Sequence, residues 1–273
     1  MNERFLRFQS ADTELVGTLS LPQGHPCGAI LIMHPFDEEK KFAHRVLTTA
    51  SWQLAKAGFA ALRFDLSGCG DSFGRFRDAT IAQWLRDIVT AANLLRRETG
   101  CEKISLLGLR LGATLCWLGR NEVDDLDAIV LWEPILSGRK YVDILWRRKL
   151  IKEMITAGKG RTSFEAARAE LEQTGFIDLD GWALGKTLLD ELIELDISTP
   201  IQPVPPCPVR TLTVQIAFNA KVSGELNTFA DAVRAADGSV DVAGIRERPI
   251  WDRIDIVPAT ELITTTINWL SQK

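Results

Sequence analysis

The stretch Leu106-Leu107-Gly108-Leu109-Arg110-Leu111-Gly112-Ala113-Thr114 decides the fold. Before it, Ile104 to Leu107 is an apolar run suited to a buried strand; after it, Leu111 to Leu118 carries apolar residues at helical spacing. The connection between them is Gly-x-Arg-x-Gly. A chain that leaves a strand and enters a helix through so few residues must turn sharply, and the two glycines allow the strand and helix backbones to approach closely. The residue between them is held in a strained conformation and projects above the sheet. In open α/β sheets, sites form at the carboxyl ends of the strands. Position 110 therefore stands where chemistry is expected, and it is an arginine.

Outward from this turn, buried strands alternate with amphipathic helices. Phe5–Phe8 and Leu15–Leu21 form an edge hairpin around Ala11-Asp12-Thr13. Gly28–Pro35 reads as a central parallel strand, residues 42–57 as a helix with Val46, Leu47, Ala50, Leu54 and Ala57 inward, and Phe59–Leu66 as the next strand. Residues 80–97 form a helix with Trp84, Leu85, Ile88 and Leu95 inward, and Ala128–Glu133 is another buried strand. Thr211–Phe218 and Val240–Ile245 are strands, with helices at 224–236 and 258–270. The alternation predicts a mostly parallel, doubly wound α/β sheet. Between Ser137 and Pro200 helical segments dominate, near 140–157, 163–174 and 180–194, with no convincing strand. The division expected is a first core part at 1–137, a helical cap at 138–200 and a second core part at 201–273, with the Pro-rich stretch Pro200–Pro208 returning the chain to the core.

Composition bounds the function. The 273 residues are 46% hydrophobic and 25% charged, an ordinary globular balance. A formal net charge of −4 argues against nucleic acid as the main partner. Five cysteines, an odd number without a Cys-x-x-Cys pair, read as the reduced thiols of a cytoplasmic protein with no zinc site; no cofactor is implied. The N-terminus lacks the apolar run of a signal peptide, and no stretch reaches the ~20 apolar residues that span a bilayer.

The strand, turn and helix match the nucleophile elbow, Gly-x-Ser-x-Gly, of the α/β-hydrolase fold. The mechanism of that fold requires a serine, a histidine to take its proton and an acid to orient the histidine. Arg110 is permanently protonated and cannot be the nucleophile. Where the acid is expected, after the strand ending near Phe218, stand Asn219-Ala220-Lys221. Where the histidine is expected stand Arg248-Pro249-Ile250-Trp251-Asp252. The three histidines, His25, His34 and His44, all fall early in the chain. The Ser-His-Asp mechanism is therefore absent. What remains is an oxyanion-type loop at His34-Pro35-Phe36, the amides near Phe36 and of Leu111, and the N-terminus of the elbow helix, all favourable to an anion. Arg110 adds a planar cationic fork for a carboxylate or phosphate. An anion-binding position under the cap follows, with Arg110, Leu111, Phe36, Asp37 and Trp251 around it.

The chain resembles the exosortase A system-associated hydrolases, type 2, within the α/β-hydrolase (serine aminopeptidase S33-like) superfamily. The matching stretches are Met33-His34-Pro35-Phe36-Asp37-Glu38-Glu39, Phe64 to Ser72, Trp84-Leu85 with Asp87, Gly108 to Ala113, and Leu131 to Gly138. The resemblance covers about residues 27 to 155. It implies a bacterial cytoplasmic protein linked to exopolysaccharide production and protein sorting, with arginine at the elbow as a family feature. It also implies the name hydrolase, which a fold alone does not establish.

Each candidate residue has a structural alternative. Arg110 is either a ligand anchor or half of an ion pair with Glu133 or Asp37. His34 is a general base oriented by Asp65 or Asp37, or a hydrogen-bonded loop residue. Glu133 is a proton-transfer candidate beside it. Asp65 braces the loop Asp65–Ser72, and Cys69 and Cys116 read as buried thiols. The first cap helix is basic, with Lys140, Arg147, Arg148, Lys149 and Lys152 interleaved with apolar residues; it is a solvated lid face or a peripheral membrane contact. The functional readings are an ester or thioester hydrolase without a triad, a non-catalytic binder of an anionic acyl or sugar-phosphate ligand, and a scaffold for a protein partner.

Overall fold

Eight strands make the main sheet: β1 (Asn2–Ser10), β2 (Thr13–Leu21), β3 (Gly28–Met33), β4 (Phe59–Phe64), β5 (Ile104–Leu109), β6 (Leu126–Trp132), then β9 (Arg210–Ala217) and β10 (Val240–Arg246). Their order is β1-β2-β4-β3-β5-β6-β9-β10. Strands β3 to β6, β9 and β10 run parallel, and β2 pairs antiparallel with both β1 and β4. The structure, a computed structural model, describes residues 2–157, 164–179, 181–198, 209–252 and 257–272. This is the α/β-hydrolase fold that the alternation predicts.

The helices wind both faces. On one face α1 (Asp37–Lys56) and α8 (Thr260–Leu270) bury Val46, Leu47, Leu54, Leu262 and Ile263 against Ile30, Ile32, Leu107 and Val130. On the other, α2 (Ile81–Thr99), α3 (Leu111–Gly119) and α7 (Gly224–Ala235) cover Leu31, Leu106 and Leu131 with Trp84, Ile88, Leu115 and Phe229. The chain leaves β3 toward β4 on one side, and β5 lies on the other. The ends of β3 and β5 thus flank a topological switch point, the natural place for a site in such a sheet.

Over this rim lie α4 (Gly138–Ala157), α5 (Phe164–Thr174), the antiparallel pair β7 (Phe176–Leu179) and β8 (Trp182–Gly185), and α6 (Lys186–Glu194). The small hairpin corrects the expectation of an all-helical segment, and it displaces the start of the third helix from 180 to Lys186. Its strands are too short for a periodic signal, and they are fixed by packing outside the segment. The Trp182 ring meets Phe76 edge-on at 5.4 Å, and a side chain at Gly185 would collide with the Arg77 carbonyl. Two helix boundaries also move. Helix α1 begins at Asp37 instead of 42, and α8 at Thr260, after Ala259 at φ 50°. The expected return at Pro200–Pro208 lies outside the described residues.

The elbow glycines are required by contact. A Cβ at Gly108 would lie 2.4 Å from the Gly112 carbonyl, and one at Gly112 would lie 2.5 Å from the His34 carbonyl oxygen. Backbone cannot yield as a side chain does, so Gly112→Ala is expected to cost about 3 kcal/mol or more. Urea unfolding would measure it; an unchanged midpoint would mean that β3 and α3 are free to separate.

Candidate functional site

Arg110 has the conformation of an elbow residue, φ 55° and ψ −122°. Its amide donates to the Trp132 carbonyl at 2.9 Å, and its own carbonyl accepts from Ala113 and Thr114 at 3.0 and 3.1 Å, locking the turn between β6 and α3. The guanidinium lies against Glu39: Nε donates to Oε2 and Nη2 to Oε1, each at 3.4 Å. Glu39 is fully buried, and the Arg148 guanidinium lies 4.0 Å from the same carboxylate. Aromatic faces flank the cation, Trp251 at 4.8 Å and Tyr141 at 5.5 Å from the ring centres. Burial alone would weaken the charge on Arg110, but Glu39 foremost, then Tyr141 and Glu133, outweigh it and hold the group above the ordinary arginine range.

The ion pair differs from the two expected. Glu133, at φ 47° on the end of β6, turns its carboxylate to β9. It accepts from Gln215 Nε2 at 2.5 Å and from the Ile216 amide at 2.7 Å. Burial raises its pKa against these hydrogen bonds and the Arg110 charge. Asp37 opens α1 at φ 60°, is 3% exposed, and its Oδ1 has no hydrogen-bond partner among the described residues. Burial pushes its carboxyl up to about 7, with Glu39 and Glu38 adding to it against the Glu38 amide and Arg148. Tyr141 is 2% exposed, and its hydroxyl is likewise without a partner among those residues. Burial, Glu39 and Asp37 carry the phenol well above its ordinary range, against Arg110 and Arg148.

The other candidates fall in different places. Phe36 is core: its ring packs on Phe76 at 5.7 Å and Tyr141 at 5.8 Å. Leu111 is buried at the start of α3, where helix geometry leaves its amide without an intrahelical acceptor. His34 does not face Arg110. Its Nδ1 meets the Pro35 carbonyl at 2.5 Å, its Nε2 accepts from the Leu66 amide at 3.4 Å, and Asp65 lies 3.7 Å away. Burial and then Lys40 lower its pKa to about 4, outweighing Asp65. A neutral ring with both nitrogens engaged, on the wall of a different cleft from Arg110, corrects the expectation of a general base there. In a histidine NMR titration His34 is expected to stay neutral through pH 6; a midpoint near 6.5 would mean a solvated ring. Cys69 is buried, and burial raises its thiol to about 12. Cys116 is likewise buried with a raised pKa.

The basic face of α4 is largely turned onto acids of the core. Lys152 pairs with Glu38 at 3.0 Å, Arg148 approaches Glu39, and Lys140 pairs with Glu225 at 2.6 Å. Among the described residues no helix is long and apolar enough to cross a membrane. Beside Arg110 opens a cleft of about 220 Å³ whose wall includes Glu133, Lys140, Tyr141, Ile144 and Gln215. Arg110 and Glu133 are therefore brought together at one cleft. Trp251 covers the cation, and Asp37 and Phe36 lie within the protein behind it.

Two residues of this cluster escaped the sequence reading, Glu39 and Tyr141. Glu39 had a signal: Glu39, Ala43, Val46 and Ala50 continue the helical spacing of the inner face of α1 by one more turn. Tyr141 had none, because only folding brings the cap against the elbow.

No curated protein sequence matches this chain. Solved structures share its fold at low identity. Est1E from Butyrivibrio proteoclasticus, with ferulic acid bound, is 16% identical with a TM-score of 0.62, over 97% of this chain and 96% of that one. A Pyrococcus furiosus esterase is 13% identical with a TM-score of 0.60, covering 98% and 92%. Proline iminopeptidase of Mycobacterium smegmatis is 12% identical with a TM-score of 0.63, covering 98% of each chain. The sequence model of the X-Pro dipeptidyl-peptidases matches residues 12–180. That span runs from β2 through the elbow into the cap and takes in more than half of the chain, which thus belongs to the X-Pro dipeptidyl-peptidase (S15) family.

Proposed function

We propose that this protein is a non-hydrolytic member of its fold that holds the carboxylate or other anionic group of a small acyl ligand in the cleft at Arg110, beneath α4. One observation carries the reading. Glu39 engages Nε and Nη2 of Arg110, while Nη1 has no hydrogen-bond partner among the described residues and the side chain lines the cleft. A guanidinium already fixed on one edge presents the other as a preorganised donor. The apolar wall at Ile135, Leu136, Ile144 and Leu226 suits the acyl part. The sequence resemblance adds a setting in exopolysaccharide production or protein sorting.

Hydrolysis of an ester or thioester without a triad is the second reading. It is favoured by Asp37, beside the Arg110–Glu39 pair, whose carboxyl burial pushes up to about 7, into the range of a general base. A panel of aryl esters and thioesters separates the two, together with melting curves in C2 to C8 carboxylates. No turnover is expected. A saturable rise in melting temperature is expected with one carboxylate, and it should vanish in Arg110→Ala; at a ligand concentration of 100 Kd it corresponds to about 2.7 kcal/mol. Turnover lost in Asp37→Asn would overturn the binding reading.

A further inference from the structure

On the opposite flank of the strand ends, Lys40 and His44 of α1 and Arg63 of β4 line a cleft of about 130 Å³ between the helix and β2. We propose that this cleft is a second ligand site and takes a single phosphate-type oxyanion. The carboxylates are occupied. Asp65 Oδ1 accepts from Lys40 Nζ at 2.6 Å and Oδ2 from the Asp71 amide at 2.9 Å. Glu3 Oε1 accepts from Trp52 Nε1 at 2.9 Å and from Ser20 at 3.1 Å, with Arg63 Nη2 at 3.6 Å. Asp71 is exposed at the rim. His34, also on the wall, has both ring nitrogens engaged.

Donors are what remain. Arg63 Nε is buried and has no hydrogen-bond partner among the described residues. Lys40 retains two N–H groups beyond the one given to Asp65, and the His44 ring borders the same space. Arg63 and Lys40 bring two cations to a wall whose Asp65 carboxylate is already engaged, and an anion is the ligand that answers them. Two of the charges beside His44, Arg63 and Lys40, have the matching sign. Burial first, then Arg63 and Lys40, disfavour a proton on His44 and outweigh the opposite pull of Asp65. Donors arriving from β4 and from two positions on α1 suit a tetrahedral oxyanion better than a planar carboxylate, and the volume admits one headgroup.

The chain has three histidines, so the imidazole NMR spectrum of the full-length protein is simple to read. Sodium phosphate titrated against sodium chloride at equal ionic strength is expected to move His44 saturably and to raise its pKa by about one, since a bound anion favours the imidazolium. His25, exposed and elsewhere, should not move. Arg63→Gln is expected to weaken phosphate about tenfold or more, the loss of one charge-assisted hydrogen bond. His44 borders this cleft and not the one at the elbow, so its saturable shift separates the two sites. If Arg63→Gln does not fold, His44→Gln, with phosphate-dependent melting as the readout, replaces it. The same His44 response in chloride, or undiminished phosphate binding in the folded variant, overturns the site.

Discussion

Glu39→Ala lowers the melting temperature by about 10 °C. The carboxylate is fully buried and is the hydrogen-bonding partner of Arg110, whose side chain is 12% exposed. Removing it leaves a guanidinium with no counter-charge in contact, and breaking a buried pair from one side costs about 3–5 kcal/mol. For a domain of this size each kcal/mol is worth about 2–4 °C. The double variant Glu39→Leu/Arg110→Met separates this from simple loss of packing. Replacing both partners with apolar groups removes the desolvated charges together and should recover most of the loss. A single variant that melts with the wild type would mean that Arg110 reaches water on its own. A double variant no better than the single would mean that shape, not charge, is what Glu39 supplies.

Asp37→Asn changes the pH dependence of stability. The native carboxyl keeps its proton up to about pH 7, whereas the unfolded one releases it near 3.8. Between those values the native state binds more protons, so this residue makes stability fall as pH rises, and the fall levels off above 7. The full displacement corresponds to about 4 kcal/mol, since each pH unit is worth about 1.4 kcal/mol. Asparagine has no proton to lose. The variant should match the wild type near pH 4 and exceed it by a few kcal/mol at pH 8. The comparison must be made as a difference between the proteins, because His34 slopes the other way. Its native pKa is lowered to about 4, so its contribution is complete above 6.5 and is lost as the pH falls through 4. Parallel stability curves for the two proteins would show that the Asp37 carboxyl is solvated and titrates normally.

The sheet was legible because each strand is a short apolar run ended by a turn, and the elbow because Gly108 and Gly112 stand at contacts that admit no side chain. That position 110 carries no nucleophile was legible from its residue type alone. The partner of Arg110 was legible only as a continuation of the α1 spacing to Glu39. Asp37 and Glu133 stand at neighbouring strand ends and were the natural candidates; Glu39 wins because α1 starts five residues earlier than its apolar spacing indicates, which turns a third acidic residue inward. Glu133 is taken instead by Gln215 and the Ile216 amide of β9, a pairing that exists only once the sheet has formed. The cap hairpin was hidden for a similar reason, since its two four-residue strands pair with each other but are anchored through Phe76 and Arg77.

The backbone of Arg110 bears on how other proteins of this architecture are interpreted. A left-handed residue on the nucleophile turn is commonly credited to catalysis, as tension held ready for the reaction. Here the same turn holds a residue that attacks nothing, at φ 55°, and non-glycine residues just beyond β3, β6 and β9 share the feature: Asp37 at φ 60°, Glu133 at φ 47° and Ala220 at φ 54°. Such conformations cost about 1–3 kcal/mol each. Their recurrence around one rim ties them to the geometry of leaving a twisted sheet. The turn is thus a property of the scaffold, kept whichever side chain stands on it.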